Sequence, residues 1–137
     1  MKSCSLKEDE PLAPRSIEGL LEFMAVFETD GFCPGGGIPL DEEGWPVAEF
    51  AAIVSRFLDA CYQNGFVVKF DWAAWEAKAL EYMHEPALLQ SADLAVLRRL
   101  LTWHVRQNRS HRDHLAGMIA SGHALAILRR LKTLAAR

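Results

Sequence analysis

Four of the five histidines, His104, His111, His114 and His123, fall within twenty residues. Imidazoles that converge can hold zinc or another borderline metal, which asks for three or four ligands around one point. The spacing matches no metal signature, since there is no His-Glu-x-x-His and no neighbouring pair of cysteines. His111 and His114 are one helical turn apart, and Asp113 does not share their face. Satisfied or solvent-facing histidines are therefore expected, and whether the rings converge is a question for the fold. Nucleophilic chemistry has little more to draw on. Ser110 and Ser121 are explained as helix caps. Cys33 and Cys61 lack the electropositive setting that lowers a thiol pKa, and Cys61 falls on a core face. Gly35-Gly36-Gly37 lacks the following Lys-Ser/Thr of a phosphate loop and is trailed by Asp41-Glu42-Glu43, which repels phosphate. No catalytic residue, metal ligand or cofactor contact is expected.

Binding chemistry has better candidates. Residues 94 to 137 carry nine basic side chains against the single acid Asp113, a net of +8, while residues 1 to 93 carry six basic side chains against seventeen acids, a net of −11. Arg98, Arg106 and Arg109 on one helix, with Arg129 and Arg130 on another, suit a phosphate-neutralising stripe, with Trp103 and Gln107-Asn108 close by. A DNA-reading helix-turn-helix asks for a polar recognition helix, whereas the last helix here is apolar inside and short of Asn, Gln or Ser outside. The acidic half also has enough charge to neutralise the arginines within the molecule. Trp45 stands between Gly44 and Pro46 beside Glu42 and Glu43. Packing back on the bundle is the expected outcome; exposed, it would be an anchor for a protein partner, because aromatic residues dominate interface energetics.

The elements that position these residues are read from apolar periodicity. Ile17, Leu20, Leu21, Met24 and Phe27 define a first helix with Glu18, Glu22 and Glu28 outside, ended at Thr29-Asp30-Gly31. Residues 31–46 read as a mobile Gly/Pro loop. A second helix spans 47–63 and stops at Asn64-Gly65. Phe66-Val67-Val68 prefers an extended form but has no obvious strand partner. Asp71 caps a third helix over 72–84, and Pro86 starts a short helical turn. Ser91 caps a helix with Leu97, Leu100, Leu101 and Val105 inside and Arg98, Thr102, Arg106 and Arg109 outside. A turn is expected at Gln107-Asn108-Arg109-Ser110, then a helix opened by a Ser110/Asp113 capping box and closed by Gly122. The final helix has Ile127, Leu128, Leu131 and Leu134 inside.

The expected architecture is all-α, one compact bundle of five or six short helices forming a single domain over 1–137, with 1–14 a flexible tail. At 137 residues, 50% hydrophobic and 24% charged, the chain is long enough to bury its own core. Neither a secretory leader nor an apolar run of about 18 residues is present, and three widely spaced cysteines suit a reducing compartment, so the cytoplasm is the expected location and no membrane contact is expected.

Phe70-Asp71-Trp72 with Trp75, Ala92-Asp93-Leu94, Leu97-Arg98, Arg106, Arg109, His114-Leu115, Gly122-His123 and Ile127-Leu128-Arg129-Arg130-Leu131 together resemble a bacterial family of small helical domains of unknown function. The likeness covers roughly residues 17 to 132. Ser110 stands where the pattern has an aromatic residue, and Asp113 where it has glycine. The resemblance implies a helical fold and a bacterial or mobile-element origin, and brings no activity. The leading expectation is thus a non-enzymatic protein that binds another macromolecule, the acidic helices and loop with Glu42, Glu43 and Trp45 meeting a basic partner and the arginine faces an acidic one. A phage or mobile-element inhibitor of a host complex is one such case. The alternative is a nucleic-acid-binding regulator acting through Arg98, Arg106, Arg109, Arg129 and Arg130. A histidine-centred metalloenzyme ranks third.

Overall fold

Proline cannot donate a backbone hydrogen bond, so Pro14 is placed where none is needed, at the start of helix α1, Pro14–Leu21. The computed structural model describes residues 6–7, 11–28, 37–111 and 113–136. Helix α2, Phe23–Phe27, follows after the single residue Glu22, whose backbone is still right-handed helical, so the expected first helix exists as two nearly continuous pieces. Then come α3 (Ala48–Gln63), α4 (Glu76–His84), a 3-10 helix (Pro86–Ser91), α5 (Leu94–Ser110), α6 (His114–Ala120) and α7 (His123–Ala135). The fold is all-α. Its only described strands are β1 (Leu6–Lys7) and β2 (Val68–Lys69), two residues each, paired in parallel with Leu6 opposite Val68.

One apolar core joins these helices, and α5 runs through it. Leu97, Leu100, Leu101 and Val105 of α5 are buried with Leu115 and Ile119 of α6, Ile127, Leu128 and Leu131 of α7, and Phe27 and Phe57 from the N-terminal half. Phe23, Phe27 and Phe57 meet with ring centroids 5.3 to 5.9 Å apart, which locks α2 onto α3. Gly65 (φ 79°) ends α3, and Gly122 (φ 93°) separates α6 from α7, left-handed positions that a side chain would strain.

Several expectations are corrected. Arg98 and Thr102 are not on an outer face but buried, because residues 65–68 lie across that side of α5. An extended segment cannot satisfy its own backbone groups. Arg98 donates from Nε and Nη2 to the Gly65 carbonyl, and Thr102 Oγ1 donates to the Phe66 carbonyl while accepting from Val68 N–H. The partner strand of Val68 comes from the stretch read as a flexible tail, and Leu12 of that stretch packs against the core.

The turn expected at Gln107 to Ser110 is helical. Asn108, read as a turn residue, instead accepts from Leu115 N–H at 3.0 Å and ties α5 to α6. Consequently Ser110 and Asp113 form no capping box, and no side chain of Asp113 caps α6. Ser91 spends its hydroxyl on Leu88 within the 3-10 helix, and Asp93 caps α5 by accepting from Val96 N–H at 2.9 Å. Asp71 caps a turn over 72–75, so α4 starts only at Glu76. The expected stop at Thr29-Asp30-Gly31, the glycines Gly35 and Gly36, and Cys4, Cys33, Arg112 and Arg137 lie outside the described residues. Among the described residues no helix is long and apolar enough to cross a membrane.

Candidate functional site

Between α2 and α3 the described part of the Gly/Pro segment is a built hairpin. Leu40 pairs with Pro46 in an antiparallel bridge, Val47 N–H donates to the Pro39 carbonyl, and Asp41 N–H donates to the Trp45 carbonyl at 2.7 Å. The Asp41 carboxylate accepts from the N–H groups of Glu43 (2.9 Å) and Trp45 (3.0 Å), drawing the backbone around its own side chain. Gly44 closes the turn with φ 86°. The segment read as an irregular loop therefore has a defined conformation over these residues, imposed by one carboxylate.

That turn carries the two most exposed large apolar side chains among the described residues, Trp45 at 58% and Leu40 at 57%. Asp41, Glu42, Glu43 and Glu49 around them are all exposed. Trp45, expected to pack back on the bundle, is instead more than half exposed, and an indole and an isobutyl group on a turn this rich in acids gain by moving into an apolar pocket with a basic rim.

The expected arginine stripe loses one member. Arg98 is 3% exposed and committed to the Gly65 carbonyl, so it is withdrawn from any surface. Arg106 is partly buried. Arg109 is exposed and donates to the Tyr62 hydroxyl at 3.4 Å. Arg129 pairs with Glu28 at 3.2 Å, the neutralisation between acidic and basic halves that the charge pattern suggests. Arg130 donates from Nε to the Ala92 carbonyl at 2.8 Å. Trp103, a candidate for stacking, is buried.

Three of the four clustered histidines do converge. The rings of His104 on α5, His114 at the start of α6 and His123 at the start of α7 lie with centroids 5.1 Å (104 to 114) and 5.0 Å (104 to 123) apart, and His111 stays exposed outside the group. His104 Nδ1 and His114 Nε2 are 2.8 Å apart and share a hydrogen bond. Nε2 of His104, both ring nitrogens of His123 and Nε1 of Trp103 are buried without a hydrogen-bond partner among the described residues. Burial above all, with repulsion from His123 and His114, holds His104 well below the usual imidazole range. Burial and the neighbouring His114 push His123 down to about 4, and burial and His111 lower His114. All three rings are thus neutral near pH 7.

Two nitrogens that face each other across a hydrogen bond do not aim at a common ion. Among the described residues no group of three or more His, Cys, Asp and Glu is arranged to hold a metal. Cys61 is fully buried, and desolvation raises its thiol pKa far above the normal range, which leaves it inert as a nucleophile. The convergence rests on the packing of α6 and α7 against α5, with Gly122 separating α6 from α7, which brings positions 104, 114 and 123 together. Spacing of ten and nine residues is the signal that could have indicated it.

Comparison with known proteins adds a family and no activity. The chain belongs to a family of unknown function, DUF6508, whose model matches residues 12–137. No curated protein and no solved structure matches it.

Proposed function

Proceeding from a family that assigns no activity, we propose that this chain is a non-enzymatic interaction protein whose Asp41-braced turn docks Trp45 and Leu40 into a protein partner. The observation that carries the reading is the exposure of both side chains on a turn whose backbone is already fixed. Ordering a recognition loop before binding removes a cost that binding would otherwise meet. Glu42 and Glu43 select a partner with a basic rim and repel nucleic acid, and the withdrawal of Arg98 from the surface adds to the preference for protein over phosphate.

The reading is tested by affinity capture from nuclease-treated lysate of the source organism, comparing the unmodified chain with Trp45→Ala and with Glu42→Lys/Glu43→Lys. A complex that survives nuclease and is lost in both variants is expected. Capture that is indifferent to both variants, or that disappears with nuclease, overturns it.

A further inference from the structure

We infer that a second site, the groove between the 3-10 helix and α7, binds a carboxylate carried on a small apolar body. The groove encloses about 390 Å³, within the size of small-ligand pockets, and its walls include Leu89, Gln90, Ala126, Arg129, Arg130 and Thr133. Among the described residues no acidic side chain lines it. Glu28 pairs with Arg129, Asp93 caps α5, and Glu85 is exposed just before the 3-10 helix.

Arg130 supplies the recognition. Its Nε hydrogen bond to the Ala92 carbonyl, 2.8 Å and part-buried, fixes the plane of the guanidinium. A guanidinium has five N–H donors, and the four on its Nη atoms have no partner among the described residues. That edge matches the two oxygens of a carboxylate in a bidentate pair. Of the two described cations lining the groove, Arg129 pairs with Glu28, so Arg130 matches a single negative charge rather than a polyanion. Leu89 and Ala126 offer apolar surface to the ligand's body, and the Gln90 amide can add one donor. The Thr133 hydroxyl donates to the Arg129 carbonyl and so faces a ligand only as an acceptor. This site is independent of the Trp45 turn and stands or falls separately.

The test is amide-resolved NMR of the full chain titrated with 3-phenylpropionate, with the neutral 3-phenylpropanamide, and with the peptide acetyl-Phe-Leu bearing a free C-terminus. Shifts at Gln90, Ala92 and Thr133 with the two carboxylates and not with the amide are expected. Arg130→Gln should weaken binding about tenfold, as loss of a charged bidentate pair does, while Arg109→Gln leaves it unchanged. Stronger binding of the peptide assigns the carboxylate to a partner's chain terminus, and stronger binding of phenylpropionate assigns it to a free organic acid. Either outcome upholds the site. Equal shifts with acid and amide, no shift at these residues, or weakening by Arg109→Gln as large as by Arg130→Gln overturns it, and the acid/amide comparison needs no variant to fold.

Discussion

The guanidinium of Arg98 donates twice to one carbonyl oxygen, that of Gly65, from Nε at 3.1 Å and from Nη2 at 2.9 Å. A cation 33 residues along the chain thereby holds the end of α3 and the start of the extended segment against α5. Replacing Arg98 with Leu removes both donors and leaves the carbonyl buried, so a loss of about 3 kcal/mol is expected. Urea unfolding of the variant, followed by far-UV circular dichroism, measures it. A loss within experimental error would mean that the contact carries no stability.

Thr102 provides a finer version of the same test. Its hydroxyl serves the Phe66 carbonyl at 3.1 Å and the Val68 N–H at 2.9 Å. Thr102→Val keeps the shape, strands both backbone groups and should cost about 2 kcal/mol, whereas Thr102→Ser should cost under about 1 kcal/mol. The two denaturation curves side by side give the value of the hydroxyl.

The path of residues 65–68 explains what the sequence made legible and what it did not. Helix positions follow from local periodicity, so the stripe of Leu97, Leu100, Leu101 and Val105 and the glycine stops Gly65 and Gly122 are found where spacing puts them. Arg98 and Thr102 defeat that reasoning. Polarity places them outside until a non-local strand needs their donors, and no local signal announces that strand's route. Asn108 fails for the same reason, since its amide closes a contact seven residues on that spacing reads as a turn. The candidate site divides similarly. Trp45, Glu42 and Glu43 stand out by type and context, but only the geometry shows that Asp41 organises the backbone that presents them. Of the arginines, composition reveals the excess charge and leaves the burial of Arg98 invisible.

Stability should depend on pH through the histidines. His123 has its pKa lowered to about 4 and His104 is lowered well below the ordinary value, so the folded chain binds fewer protons than the unfolded chain as pH falls below about 6.5. Their contribution is complete above that pH and is lost on acidification towards 4, a window above that of ordinary carboxylates. His123 alone is worth up to about 3 kcal/mol. Urea titrations at pH 7 and pH 5 should show the unmodified chain weakening, and His123→Leu weakening less over the same interval. Equal pH dependence in both would contradict the assignment.

Asp41→Ala removes the acceptor for the Glu43 and Trp45 N–H groups while touching no core residue. Global stability should change by less than about 1 kcal/mol. Partner affinity should fall about tenfold, because the turn must then be ordered on binding. Asp41→Asn, which retains a side-chain oxygen, should restore most of that affinity in the same binding assay.

Trp45→Ala should cost the complex about 2 kcal/mol or more, roughly thirtyfold in Kd, the scale of an aromatic hot spot. With Trp45 58% exposed in the chain alone, folding stability should be little affected. Calorimetric titration against the captured partner and thermal melting of the variant separate the two effects.

The central claim is that the exposed turn meets a protein. A photo-crosslinking amino acid placed at position 45, and as a control at the exposed position 77 on α4, tests it in cells of the source organism. The account predicts one dominant protein adduct from position 45 and none of that mass from position 77. Absence of an adduct at 45, the same adducts from both positions, or an adduct that nuclease digests would contradict it.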